Sequence, residues 1–374
     1  MSAPHATAPY DVITAEARAL LFRTAHYLTA EDQENLEKAC AYAFYAHDGQ
    51  TRKSGEPYIT HPIAVTIELA KWHMDLQTLS AGLMHDVLED TGITKAELAA
   101  TFGETIADMV DGLSKLEKLE YDSHAEHQAE SFRKLILAMT KDVRVIIVKL
   151  SDRLHNMRTL DAMRLDKRRR IAHETLEIYA PIANRIGLNS AFRELQDLSF
   201  KNLYPKRYET LRKAMQAFHR NRRDVISTVL SQFSLRLVSE NIEAQIKGRE
   251  KHLYSIHQKM RNKKLRFDEV MDIYGFRVTV NSISACYAAL GALHSLYPPK
   301  PGKIKDYIAI PKGNGYQSLH TTLTGPRGLP IEVQIRTRNM DAVAESGIAS
   351  HWAYKSGTSK LDQATLNTNK WLQN

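Results

Sequence analysis

Residues 83–91 read Leu83-Met84-His85-Asp86-Val87-Leu88-Glu89-Asp90-Thr91. Leu83, Val87 and Leu88 recur at the three- and four-residue spacing of a helix that buries one side. On such a helix His85, Asp86, Glu89 and Asp90 project from neighbouring positions of one face. Three carboxylates and an imidazole crowded there repel one another unless a cation sits among them. Imidazole and carboxylate ligands together suit Mn²⁺, Fe²⁺ or Zn²⁺. Two further ligands must come from elsewhere. His61, in Tyr58-Ile59-Thr60-His61-Pro62, and Asp152, in Lys149-Leu150-Ser151-Asp152-Arg153-Leu154-His155-Asn156-Met157, are the candidates. An adjacent His-Asp pair alone is more often a cap or a surface pair. A His, then His-Asp, then a distant Asp, all on helices, is far more specific.

Outward from this stretch the helical spacing persists. From about Thr14 to Tyr204 apolar residues recur every three or four positions and turn signals are sparse. Leu203-Tyr204-Pro205 marks a break, and a basic helical stretch follows from Tyr208 to about Glu240. The character then changes. Glu243–Lys247, Ile273–Val280, Tyr307–Ile310 and Ile331–Ile335 have strand composition, with helical patterns near 250–264 and 284–296 between them. The expected fold is therefore multi-domain. An all-α domain over 14–200 and linking helices over 201–240 precede an α+β domain over 241–356, and another helix starts over 357–374. Residues 1–12 read as a loose tail.

Composition narrows the class of protein. The chain has 374 residues, which suggests two or three domains, and its 51 Lys and Arg against 43 Asp and Glu give a net charge of +8. That excess fits a protein that handles phosphates. Cys40 and Cys286 are isolated, so neither a zinc ribbon nor a disulfide framework is expected. No apolar run approaches the ~20 residues of a membrane span, and the N-terminus lacks a secretory pattern. No membrane partner is expected, and the expected location is cytoplasmic. Nucleic acid is not an expected partner either, because an RNA binder has no need of His and Asp ligands in this order.

Around the first constellation stand Arg52, Lys53 and Ser54 in a Gly/Pro loop, Asn156 and Thr159, and the run Lys167–Arg170. A guanidinium at Arg52 can stack on a base or grip phosphate. The run is more often a solvated face.

A second constellation lies on the sheet. Arg249 and Lys251 leave a strand end, while Ser255 and Lys259 share a helix face, an arrangement that can converge on a triphosphate. Asp272 and Glu332 come from different strands, which suits a Mg²⁺–nucleotide complex. Residues 303–320 add Lys303, Lys305, Lys312, Asn314, Tyr316, Gln317 and His320, with few apolar anchors. The Gly-Asn-Gly turn would present Tyr316 for stacking on a purine.

These motifs, with Gly347-Ile348-Ala349-Ser350-His351-Trp352-Ala353-Tyr354-Lys355, resemble those of the RelA/SpoT family of (p)ppGpp synthetase/hydrolases over about residues 30–355. The resemblance implies an HD-type hydrolase domain followed by a nucleotidyltransferase-like synthetase domain. In the first, Mn²⁺ is held by His61, His85, Asp86 and Asp152. Glu89 and Asp90 handle the attacking water, and Arg52, Lys53, Ser54, Asn156 and Thr159 line the ppGpp pocket. In the second, Asp272 and Glu332 hold Mg²⁺, and Glu332 also activates the 3′-hydroxyl. Arg249, Lys251, Ser255 and Lys259 contact ATP phosphates. Tyr316 stacks on the acceptor guanine, with Lys305, Lys312, Asn314 and His320 nearby. The partners implied are ppGpp, pppGpp, GDP, GTP and ATP, in control of the stringent response.

The intact His85–Thr91 motif and the basic Lys303-Ile304-Lys305-Asp306 favour hydrolysis. Lys303 in place of arginine, and His257 in place of a usual tyrosine, leave synthesis weak or conditional. The alternative is a mainly synthetic enzyme with a regulatory helical domain. The family's TGS and ACT-type regulatory modules are expected to be missing from this chain.

Overall fold

The computed structural model describes residues 11–117, 142–270 and 274–346. The expected features at Asp272, at 347–355 and over 357–374 lie outside the described residues, as does most of the expected N-terminal tail. The described chain up to Ala183 forms one compact unit, and the chain from Asn184 onward forms a second. Among the described residues no helix is long and apolar enough to cross a membrane.

The first unit is helical. It runs α1 (Val12–Thr24), α2 (Ala30–Ala46), α3 (Thr60–Lys71), α4 (Leu76–Leu83), α5 (Val87–Asp90), α6 (Lys95–Phe102), α7 (Glu104–Glu117), α8 (Val143–Arg158) and α9 (Leu165–Glu174). A π-helical turn, Thr175–Tyr179, leads into α10 (Ala180–Arg185). The helix starts are written into the sequence. Asp11, Thr29, Asp75, Thr94 and Asp142 each accept a hydrogen bond from a backbone N–H in the first turn.

Helices α3 and α8 are buried on almost every side and form the centre of this unit. The Ser151 hydroxyl donates to the Val65 carbonyl at 2.8 Å and pins the two together. Gly82 lets α4 approach α3, since a Cβ there would stand 2.6 Å from Leu69 Cδ1 and 3.0 Å from Thr66 Oγ1.

The expected single helix through 83–91 is corrected. Helix α4 ends at Leu83 and α5 begins only at Val87, so His85 and Asp86 occupy a turn. In a continuous helix adjacent residues point about 100° apart. The turn lets both side chains reach one centre.

The second unit has α11 (Asn189–Leu203), the long α12 (Pro205–Ser239), α13 (Leu253–Lys263), α14 (Ile283–Leu296) and α15 (Arg338–Ser346). Its sheet comprises β1 (Ala244–Glu250), β2 (Tyr274–Val280), β3 (Lys305–Asp306), β4 (Leu319–Thr324) and β5 (Pro330–Thr337), in the order β1-β2-β5-β4-β3. Among the described residues only β2 and β5 pair in parallel.

Two strand expectations change. The first strand does not stop at Lys247, as β1 continues to Glu250 opposite Tyr274. Tyr307–Ile310 is not a strand, because the Asp306 carboxylate accepts from the N–H groups of Ile308 and Ala309 at 2.9 Å and turns the chain.

The period-two alternation of β4 and β5 gives the sheet two different faces. Leu319, Leu323, Val333 and Ile335 join Phe276 and Val278 against Phe233 of α12 and Leu293 of α14. Each such side chain stabilises by roughly 1.5–3 kcal/mol. His320, Thr322, Glu332 and Gln334 line the opposite, polar face.

Candidate functional site

Four side chains from three separate stretches of the first unit converge. His61 stands in the first turn of α3, His85 and Asp86 in the α4–α5 turn, and Asp152 in the middle of α8. His61 Nε2 lies 3.2 Å from His85 Nε2, 3.2 Å from Asp152 Oδ1 and 3.8 Å from Asp86 Oδ2. His85 Nε2 lies 3.1 Å from Asp86 Oδ2 and 3.8 Å from Asp152 Oδ1. Ligand atoms about 2.0–2.2 Å from a common cation stand roughly 3 Å apart. His61, His85 and Asp86 thus form a group able to hold a metal ion, with Asp152 beside it.

The surroundings fit that donor set. His85 Nδ1 donates to the Gly82 carbonyl at 2.8 Å, which leaves Nε2 aimed inward. His61 Nδ1 faces His155 Nδ1 at 2.8 Å. Asp152 takes hydrogen bonds from Lys149 at 3.0 Å and from the Asn156 amide at 2.6 Å. Tyr58 donates to Asp86 Oδ2 at 2.6 Å and reaches Asp90 Oδ2 at 3.0 Å. Burial disfavours charge on His85, yet Asp86 and Asp152 outweigh it and lift the imidazole to about 9. Burial pushes His61 the other way, below its ordinary value. The two carboxylates therefore call for positive charge at the inward nitrogens. A divalent ion satisfies them while both imidazoles stay neutral.

A cavity of about 680 Å³ opens on this cluster. Arg52, Lys53, Ser54, Asn156 and Thr159 line it together with Glu89 and Asp90. Arg52 donates to Asn156 Oδ1 at 3.1 Å, so a chain runs from Arg52 through Asn156 to Asp152. Of the run Lys167–Arg170, Arg170 lines the cavity, while Arg168 bonds Asp161 and the Met163 carbonyl. The sequence reading missed Tyr58, Lys149, Arg153 and His155. Lys149 and His155 lie three residues either side of Asp152, one helical turn away. That spacing was the available signal.

In the second unit the polar face gathers the other predicted residues. Glu332 of β5 stands beside Thr322 of β4 and Gly275 of β2. His320 Nδ1 is 4.0 Å from Glu332 Oε1, and His320 Nε2 is 2.9 Å from the Tyr316 hydroxyl. Lys305 pairs with His320 across β3 and β4. The Lys312 ammonium lies 5.1 Å over the Tyr316 ring, which is only 8% exposed. Base stacking on that ring would require Lys312 to move. Asn314 caps the turn by accepting from the Tyr316 N–H at 3.3 Å. Ser255 and Lys259 lie on α13, as expected. Lys259 is pulled down to about 7, by burial first and by the neighbouring Lys251 next, against the opposing pull of Glu332. Arg249 stands in β1 opposite Gly275, but its side chain, like the whole of Asp272, lies outside what the structure describes.

Comparison with known proteins gives matches to both halves. The HD domain family matches residues 39–189, and the region found in RelA/SpoT proteins matches residues 248–359. The bifunctional (p)ppGpp synthase/hydrolase SpoT of Escherichia coli (strain K12) is 52% identical over 347 residues, covering 93% of this chain and 49% of that protein. The GTP pyrophosphokinase of Myxococcus xanthus is 44% identical over 335 residues, covering 89% and 44% respectively. This chain spans about half the length of the curated relatives it matches. Among solved structures, the small alarmone synthetase 1 of Bacillus subtilis bound to its product pppGpp is 24% identical, covers 43% of this chain and 92% of its own, and gives a TM-score of 0.31. At that score it carries no structural argument.

Proposed function

This chain belongs to the RelA/SpoT family, and from that premise we propose that its helical unit hydrolyses (p)ppGpp to GDP or GTP and pyrophosphate. The observation that carries the reading is the meeting of His61, His85, Asp86 and Asp152, three of which, His61, Asp86 and Asp152, line one cavity with Arg52 and Lys53. These four residues would hold Mn²⁺, a choice favoured by the mixed imidazole and carboxylate donors. When bound, the ion supplies Lewis-acid polarisation of a phosphoryl oxygen and a more acidic water.

The chain's own residues do the rest. Arg52 would stack on the guanine, with Asn156 fixing its guanidinium. Lys53, Ser54 and Thr159 would hold the nucleotide in the cavity. Glu89 and Asp90 would orient the attacking water and take its proton, Tyr58 holding Asp90 in place. The water oxygen bonds to the phosphorus carried on O3′, the P–O3′ bond breaks, and O3′ regains a proton.

The sheet unit would be a second, weak or conditional site that transfers pyrophosphate from ATP to the 3′-hydroxyl of GDP or GTP. Asp272 and Glu332 would hold Mg²⁺, Glu332 would activate the hydroxyl, and Arg249, Lys251, Ser255 and Lys259 would grip phosphates. Tyr316 would take the acceptor base, with Lys305, Lys312, Asn314 and His320 around it.

Paired assays test both readings. Asp86→Asn should abolish Mn²⁺-dependent release of pyrophosphate from ppGpp in a folded protein. Unchanged release would overturn the metal assignment. Glu332→Gln should abolish any Mg²⁺-dependent labelling of GDP from ATP. Synthesis by the wild type without ppGpp turnover would instead favour a mainly synthetic enzyme.

A further inference from the structure

Helix α12 begins in an unusual way. Tyr204 precedes it without capping it, Pro205 contributes no N–H, and Lys206 and Arg207 fill the rest of the first turn. The helix is 35 residues long, so its N-terminal end carries the full positive end of the backbone dipole. Two cations at that end are the reverse of what helix stability asks for. Glu209, the acid closest in sequence, is already engaged by Arg212 at 2.7 Å and lies 3.8 Å from Lys213.

The same end faces a cavity of about 590 Å³, walled by Lys206, Arg207 and Thr210 of α12 and by Arg261 of α13. Among the described residues, none of these three cations makes an ion pair. Leu211, Met260 and Leu265 supply an apolar floor. His257 completes the wall. It is only 6% exposed, it stacks on Phe200 with ring centroids 4.7 Å apart, and it makes no hydrogen bond among the described residues. Burial, then the charges of Arg207 and Arg261, hold this imidazole below its ordinary value, so both guanidinium groups are near it. An unpartnered, largely buried ring and three cations without ion pairs among the described residues thus line one cavity at an uncapped helix start. A ligand that is both anionic and partly apolar complements all of them.

We propose that this pocket binds a phosphorylated small molecule. Its phosphates would sit on Lys206, Arg207, Arg261 and the first turn of α12, and its apolar ring on Leu211, Met260 and Leu265, with His257 hydrogen-bonded to it. None of these residues belongs to either site assigned above, so the pocket stands or fails independently of the proposed chemistry.

Histidine-selective NMR tests this on the full chain, with the His257 ring signal assigned through His257→Gln. Inorganic tripolyphosphate and ATP are the two probes. The expected result is a saturable shift of the His257 signal with both, and at least fivefold tighter for ATP. Arg207→Glu with Arg261→Glu should weaken that shift at least tenfold while ppGpp hydrolysis stays at its wild-type rate. If the doubly reversed protein does not fold, Lys206→Gln with Arg261→Gln serves, with a smaller loss expected. A His257 signal that neither probe moves overturns the proposal, as does a shift of equal strength in wild type and variant. Equal affinity for the two probes overturns the assignment of the apolar floor.

Discussion

His61 and His155 face each other through their Nδ1 atoms at 2.8 Å. Only one of the two nitrogens can carry the shared proton. For His61 to offer a lone pair at Nε2, that proton must sit on its Nδ1, and His155 must accept it. His155 thereby selects the tautomer of a candidate ligand without touching the centre itself. His155→Ala should weaken metal binding about 10–100-fold. Competition with a chelator of known affinity measures this. Wild-type affinity in the variant would remove His155 from the site.

Tyr58 links Asp86 to Asp90 through one hydroxyl. Tyr58→Phe keeps the ring stacked on His47 and removes that link. Hydrolysis should fall about tenfold or more, with kcat changing more than KM. Thermal unfolding should barely move, because the hydroxyl opens on the cavity. Loss of stability without loss of rate would mean that the bond is merely structural.

Metal should also stabilise the fold by mass action. At a free Mn²⁺ concentration a hundredfold above Kd, the native state gains about 2.7 kcal/mol. Chelator-treated protein should melt lower and recover on adding Mn²⁺, whereas Asp152→Asn should show little recovery. Equal responses of the two proteins would move the ion elsewhere.

Glu68, on α3, carries a pH dependence of stability. Burial alone would raise its carboxyl, but Arg158 at 2.9 Å and Lys71 at 3.1 Å hold it below the ordinary carboxylate range. A depressed folded-state value adds stability above the unfolded pKa of ~4.3, and that stability is lost as pH falls through the folded value. Both basic partners are partly exposed, so solvent screening keeps the contribution near 1 kcal/mol. Glu68→Gln should therefore lower stability at pH 7 and make progressively less difference below pH 4. Urea titrations at several pH values read this directly. A constant deficit across that range would contradict it.

Lys259 sits at about 7 because burial and Lys251 disfavour its charge. It is cationic below that value and neutral above it. An arriving polyphosphate restores the charge, so binding at the sheet unit should take up a proton near pH 7.5. Calorimetry of ATP in two buffers of different ionisation enthalpy measures the uptake, which should vanish in Lys259→Met. The affinity of the wild type should fall as pH rises from 6 to 8.

Much of this was legible along the chain. The helical half showed in its three- and four-residue spacing. The alternation of Ile331, Val333 and Ile335 announced β5. Asp306 was harder, since its carboxylate ends a strand that side-chain composition alone would extend. The α4–α5 break was harder still. Leu83, Val87 and Leu88 keep helical spacing straight across it, so the periodicity carries no sign of the turn.

The sequence by itself determined the donor types, their order and the helical or strand character of the stretches around them, because periodicity and strand alternation act within a few residues. Only the tertiary structure decided that His61, Asp86 and Asp152 meet, and that Tyr58, Lys149 and His155 support them. Those contacts join residues up to 94 positions apart, as between His61 and His155. They depend on how closely α3, α4 and α8 pack, which Gly82 and Ser151 allow. A tyrosine, a lysine and a histidine have many uses along a chain. Their use here is fixed by the neighbours that burial assigns them.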